Sequence, residues 1–266
     1  MDFDFDQIAV PFRMQPGLRR LEPGAPQLTQ LDPASVLFRE KRMVVEAGRS
    51  RLCVPGFDPA PAFEAIAGQA HVQGIAVAPD LPLELAFEED FAILDGDSTT
   101  LPWLCVCVPS HWAPEDKLGL PFAAVHGPVA DNALLQAAGE RLVQLATGGD
   151  RWERFVWTVT PSPRHDQHPG RHSRQPWPHA TDADAFAAGC LLRAERQTFF
   201  PVGRGTRQAV FTIRVMLQPL GEAVATREQA QRLHDSLVSM SDAVLAYKGL
   251  AGARDPLLRW LRAKTG

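Results

Sequence analysis

The chain reads as an α+β protein built on an antiparallel sheet, and three observations predict it. Two strand-like segments, Cys190 to Phe200 and Gln208 to Leu217, are joined by the glycine-containing connection Pro201-Val-Gly-Arg-Gly-Thr-Arg207, which has the spacing of a hairpin. Helical periods lie between and after the strand segments rather than in strict alternation with them. No GxGxxG or P-loop spacing is present, which argues against a doubly wound nucleotide domain.

The 266 residues are enough to bury a core around a cofactor. Lys and Arg total 27 against 31 Asp and Glu, a net charge of -4, so there is no basic surplus to hold nucleic acid. The N-terminus is acidic where a secretory signal is basic, and no apolar run approaches the roughly eighteen residues of a membrane span; a cytoplasmic protein without a membrane partner is expected. The cysteines, Cys53, Cys105, Cys107 and Cys190, form no CxxC pair and read as reduced thiols, with Cys105 and Cys107 on one strand face.

Residues 1–58 read as an N-terminal arm wrapping the core of a domain that spans 59–266. Pro11 to Leu18 is an extended stretch ending in a turn, Ala60 to Gln69 a short helix, and Leu81 to Ile93 fits neither period. Leu101 to Val108 reads as a buried strand, followed by a turn at Pro109 and a short helix ending at Gly119. A helical stripe at 134, 135, 138, 142 and 145 predicts a helix over Asp131 to Ala146, closed by Gly148-Gly149; Phe155 to Val159 is a strand. Pro161 to Asp184 has almost no apolar residues and is expected to be a solvated, mobile loop or lid, its His165, His168, His172 and His179 lacking the Cys or carboxylate frame of a metal site. Thr226-Arg-Glu-Gln229 is a capping box, and apolar residues at 230, 233, 237, 240, 244 and 247 predict one long amphipathic helix before Gly249, with a terminal helix over Arg254 to Lys264.

Chemistry concentrates in the first hairpin strand. Alternation puts Arg193, Glu195 and Gln197 on one face and Leu192, Ala194, Arg196 and Thr198 on the other, and Arg214 stands mid-way along the second strand. Charges buried in a sheet need partners or a ligand. Two readings fit: a ligand-facing polar patch, or a solvent-facing ladder of salt bridges.

Leu191-Leu-Arg-Ala-Glu-Arg-Gln-Thr-Phe199 and Phe211-Thr-Ile-Arg214 resemble the R-x-E-R-Q-T and F-T-I-R segments of the α subunits of haem-dependent oxidative N-demethylases. Pro109-Ser-x-Trp112, Glu115-x-Lys117-x-Gly119, Val125-His-x-Pro-Val129, Pro16-Gly-Leu-Arg19 and Tyr247-Lys-Gly249 match further segments of that family in the same order. The resemblance implies a PAS-like antiparallel sheet with flanking helices, lining one side of a haem pocket. It also implies His126 as axial ligand to the haem iron, and cations for the two haem carboxylates among Lys117, Arg193, Arg196 and Arg214. Trp112 is a candidate to flank the macrocycle. The implied reaction is oxidation of a small secondary amine such as dimethylamine with oxygen and electrons from a separate reductase, Glu195 binding the ammonium and accepting its proton, and Arg193 or Arg214 polarising the oxygen. A PAS-like haem sensor or ligand-binding protein without turnover is the alternative that the fold itself allows. The chain departs from the family pattern at Phe155-Val-Trp157, at Phe200-Pro-Val202 and at Ala130, and Tyr247 is its single tyrosine.

Overall fold

The structure is a computed structural model. It describes residues 3–265, so that the first two residues of the acidic N-terminus and the side chain of Leu135 in the expected 131–146 stripe lie outside the described residues. The described residues hold seven strands, β1 (Arg19–Arg20), β2 (Arg51–Cys53), β3 (Asp90–Asp95), β4 (Trp103–Cys105), β5 (Trp152–Thr160), β6 (Leu191–Pro201) and β7 (Gln208–Pro219). They form one sheet in the order β1-β5-β6-β7-β3-β4-β2 with antiparallel pairs throughout, as an α+β protein requires. The expected hairpin is its centre: β6 and β7 pair in a register that sets Glu195 opposite Val215 and Arg196 opposite Arg214. Their connection closes through Gly203, Arg204 and Gly205, all left-handed, a conformation in which glycine carries no Cβ penalty.

Both outermost strands, β1 and β2, come from residues 1–58. The same segment holds a helix, Val36–Glu46, that the sequence reading missed. Its buried face is Leu37, Glu40, Lys41 and Val44, so two charged residues interrupt the apolar stripe. Lys41 is fully buried; Nζ donates to the carbonyls of Phe87 (3.0 Å) and Glu89 (2.7 Å) and lies 3.1 Å from Asp90 Oδ1. Burial of that ammonium is tolerable because acceptors and a carboxylate surround it.

One face of the sheet is covered twice. Leu192, Ala194 and Met216 pack with the C-terminal helices, and Phe91, Ile93, Trp103 and Val210 pack with helix Ala60–Val72. On the opposite face Ala92, Leu94, Leu104 and Phe199 meet helix Gly139–Ala146. Here the cover is incomplete.

Four elements differ from expectation for local reasons. The long C-terminal stripe is two helices, Arg227–Val238 and Asp242–Tyr247, because Ser241 caps a new N-terminus by accepting from Val244 N at 3.2 Å; the capping box at Thr226 and Gln229 is formed. The 131–146 stripe divides into Ala133–Ala137 and Gly139–Ala146. Pairing in the 101–108 segment stops at Cys105, so buried Cys105 and Cys107 pack into different clusters; all the cysteines are free thiols. The first half of 161–184 is not a solvated loop: Ser162, Asp166, Gln167 and His168 are buried, whereas most of 173–184 is exposed as expected. Asp166 accepts from Arg171 and His172 and its backbone donates to Glu40, while Arg171 reaches the Cys107 carbonyl and His168 Nε2 lies 3.0 Å from Glu115. Polarity there reflects mutual pairing, not hydration. Among the described residues, no helix is long and apolar enough to cross a membrane.

Candidate functional site

The incompletely covered face encloses a cavity of about 540 Å³, within the range of small-molecule and cofactor sites. Its floor is the sheet, where alternation turns Arg154, Val156 and Thr158 of β5 and Arg193, Glu195 and Gln197 of β6 the same way. Its walls come from residues 110–129, from the 167–174 stretch and from Tyr247 and Lys248.

Glu195 is the fixed point of this floor. Arg193 Nε donates to Ser110 Oγ at 2.8 Å, so the Ser110 hydroxyl proton is turned to its other neighbour, Glu195 Oε1. Arg154 Nε donates to Gln197 Oε1 at 2.7 Å, which fixes the amide so that Nε2 donates to Glu195 Oε2 at 2.7 Å. Each carboxylate oxygen thus accepts from a neutral donor whose direction a guanidinium sets, buried for Arg193 and half-buried for Arg154. Arg193, 2% exposed, further donates to the carbonyls of Val108 (3.3 Å), Arg164 (3.3 Å) and His165 (2.9 Å). Burial, partly opposed by the charge of Glu195, pulls its guanidinium down to about 10.

His126 follows the short helix Phe122–Val125 and lines the cavity. Its Nδ1 lies 2.8 Å from the Phe122 carbonyl, which can only accept; the ring is therefore the Nδ1–H tautomer, with the lone pair on Nε2. Burial, with Arg154 and Lys117 nearby and only partly offset by that hydrogen bond, pushes the imidazole down to about 4, so it is neutral near pH 7. A neutral imidazole of this tautomer is a nitrogen ligand for a metal centre.

Five cations, Lys117, Arg154, Arg174, Arg193 and Lys248, line the cavity against two carboxylates, Asp116 and Glu195, an imbalance that suits an anionic occupant. Lys117 Nζ donates to the Val125 carbonyl at 3.1 Å. Lys248 Nζ donates to the Trp157 carbonyl at 2.6 Å and lies over the rings of Phe12 and Trp157; burial, opposed by Glu195, pulls it down to about 8.

Of the residues singled out from sequence, the fold gathers His126, Lys117, Trp112, Arg193 and Glu195 around this cavity. It does not bring Arg196 or Arg214 there. Both occupy the opposite face, paired across β6 and β7, where Arg196 bonds Glu153 at 2.9 Å and Arg214 bonds Glu88 at 2.6 Å; the period of two that turns Arg193 to the cavity turns them away. Neither lines the cavity as a carboxylate or oxygen partner would.

Sequence reasoning missed Ser110, Arg154, His111 and Arg174. Arg154 was legible, since the strand extends three residues further toward the N-terminus than its apolar core and alternation then aims Arg154 with Val156. Ser110 was not, because its partner lies 85 residues away. His111 stands in the left-handed region (φ 59°), unusual for a residue with a side chain, and burial with Arg174 and Arg193 nearby pushes its imidazole down to about 4.

The neutral imidazole of His126, the excess of cations and the apolar walls from Leu94, Leu104 and Phe199 together fit a haem with its two carboxylates. The family model described as haem-dependent oxidative N-demethylase, alpha subunit-like, matches residues 75–258, a span that holds the whole cavity apart from its lining by residues 14–18. On that match over more than half its length, the chain belongs to the haem-dependent oxidative N-demethylase alpha-subunit-like family, whose cofactor is haem.

Proposed function

We propose that this chain holds haem in the cavity, a PAS-like pocket in which His126 Nε2 would bind the iron, and oxidatively demethylates a small secondary amine of the dimethylamine type. The observation that carries the reading is that Glu195, fixed on both oxygens, and the Nε2 lone pair of His126 belong to one cavity. When bound, haem supplies the oxidising chemistry. For dimethylamine the balance is one amine, one oxygen molecule, two electrons and two protons giving methylamine, formaldehyde and water. The electrons come from a separate reductase, in keeping with a family described as alpha-subunit-like.

The chain's own residues bind the amine and move its proton. A dialkylammonium resembles a lysine head group, with a pKa of about 10.4, and arrives charged. Glu195 pairs with that ammonium and accepts its N–H proton, freeing the nitrogen lone pair for oxidation. Ser110 and Gln197 keep the carboxylate aimed during the transfer, and Arg193 and Arg154 hold those two donors in place. Apolar Val156, Phe211 and Ile213 of the same sheet face exclude water around the alkyl groups.

Two substitutions test the reading. His126→Ala is expected to abolish the imidazole-ligated absorption spectrum of the reconstituted protein; equal spectra and haem retention would remove His126 as ligand. Glu195→Gln keeps haem but is expected to weaken dimethylamine binding, read as amine-dependent shifts of the haem spectrum, by roughly a hundredfold or more, since breaking a buried ion pair costs about 3–5 kcal/mol. Unchanged amine affinity in a fully loaded Glu195→Gln protein would favour a haem sensor without turnover.

A further inference from the structure

We infer that Arg174 is the cation that clamps one carboxylate of the bound haem at the mouth of the cavity, in a seat provided by the bare backbone of Gly249; this rests on the haem reading above. Arg174 belongs to the 161–184 segment whose inner part is locked by buried hydrogen bonds, and it lines the cavity although it is itself exposed. Three residues on, Trp177 Nε1 donates to the Gly249 carbonyl at 3.2 Å, tying the segment to the end of helix Asp242–Tyr247. The guanidinium lies against Gly249: a Cβ built there would fall 2.7 Å from Arg174 Cζ, closer than side-chain carbons come. Gly249 is also left-handed (φ 69°), so glycine is favoured at this position twice over.

The other cavity cations already serve protein acceptors. Arg193 donates to Ser110 and three carbonyls, Arg154 to Gln197 and the Pro16 carbonyl, and Lys117 and Lys248 each give one N–H to a backbone carbonyl, of Val125 and of Trp157. Among the described residues Arg174 has no hydrogen bond or ion pair to a protein acceptor, and its charge is one of those that hold the cavity residue His111 neutral. A guanidinium placed at a cavity rim with its fork uncommitted matches the geometry of a carboxylate. Carboxylates at the rim and an apolar ring inside is also how an amphipathic porphyrin avoids burying its charges.

Release of haem and of its dimethyl ester, which lacks both charges, to excess apomyoglobin tests the assignment. Because the pair is part-exposed, Arg174→Gln is expected to speed haem release only about three- to tenfold and to leave release of the ester unchanged. Arg174→Lys, which keeps the charge without the fork, is expected to lie between. Equal acceleration for haem and ester would mean that Arg174 acts through the fold, and no acceleration of haem would remove it from the site; either overturns the clamp while leaving His126 ligation standing. A wild-type protein that retains neither porphyrin would overturn the haem reading, and the clamp with it.

Discussion

Lys41 and Arg193 are both sealed inside this protein, 0% and 2% exposed, yet they are kept charged in different ways. Lys41, on helix Val36–Glu46, sits 3.1 Å from the Asp90 carboxylate. Burial works against its charge, but Asp90, with smaller contributions from the Cys107 and Cys105 thiols, leaves its ammonium above the ordinary value. Arg193 touches no carboxylate; its donors go to a hydroxyl and three carbonyls, and its guanidinium falls to about 10. Lys41 and Asp90 close on one another and the charge is spent on structure. The charge of Arg193 is passed on through Ser110 to Glu195, whose carboxylate faces a cavity. A buried charge therefore marks a site when its partners are neutral and lead to an opening, and marks a structural lock when it closes on its own counter-ion.

The sharpest way to break this comparison is to remove each cation. Lys41→Met strands Asp90 without a counter-ion and is expected to cost about 4–5 kcal/mol, read as a fall in the urea midpoint, with porphyrin and amine binding of the surviving folded protein unchanged. Arg193→Met strands only neutral acceptors, at about 3–4 kcal/mol, but it also releases Ser110 and so is expected to weaken amine binding. If Lys41→Met shifted amine affinity as much as Arg193→Met, the division between lock and site would fail.

Glu89 sharpens the contrast from the acid side. It neighbours the Lys41–Asp90 pair but is excluded from it, accepting instead from the backbone N–H of Thr29 at 2.9 Å. Burial, only partly offset by that bond and by Lys41, pushes its carboxyl up to about 7 from 4.5. A raised folded-state pKa means that the native state holds the proton more tightly than the unfolded chain. The stability this contributes is full below about pH 4.5 and is lost as pH rises through 7, on the order of 3 kcal/mol in all. His111 and His126, depressed to about 4 from 6.5, act in the opposite sense, their contribution being full above 6.5 and lost as pH falls from there through about 4. Comparing wild type with Glu89→Gln at each pH cancels the histidines: the difference in urea midpoint is expected to move in favour of the glutamine variant between pH 5 and pH 8. Parallel profiles would mean that Glu89 is not protonated in the native protein.

Much of this was legible before any fold was known, for a physical reason. The hairpin and its period of two are local properties, and they placed Arg193, Glu195 and Gln197 together and Arg196 opposite. Which face carried the cavity was not local. It depends on helix Gly139–Ala146 and the 110–129 segment covering one side while two other helical layers seal the other, contacts made between distant parts of the chain. The 162–172 stretch was misread because polarity alone does not distinguish a residue bonded to water from one bonded to a buried partner, as Asp166 is to Arg171 and His172. Helix Val36–Glu46 was missed because a buried lysine on its inner face looks polar in sequence.

The smallest effect belongs to Arg196, which shares a strand with Arg193 and differs from it in face. Its guanidinium bonds Glu153 Oε2 at 2.9 Å and the Pro26 carbonyl at 2.7 Å, and Glu153 has a second cation, since Arg19 bonds Oε1 at 2.9 Å. Arg196→Leu therefore leaves Glu153 with a cation, unlike Lys41→Met, which leaves Asp90 with only the Val108 N–H. The expected loss is about 1–2 kcal/mol, the scale of hydrogen bonds to a charged group that keeps another donor. On the cavity side nothing should change, because none of the partners of Arg196 touches Ser110, Gln197 or Glu195. Urea midpoints give the first quantity; haem retention and the amine-induced shift of the haem spectrum give the second. An Arg196→Leu protein that folded but bound amine tenfold more weakly would show that the two faces of β6 are coupled through the strand, and that the separation of structural from site charges drawn from Lys41 and Arg193 does not hold at the centre of the sheet.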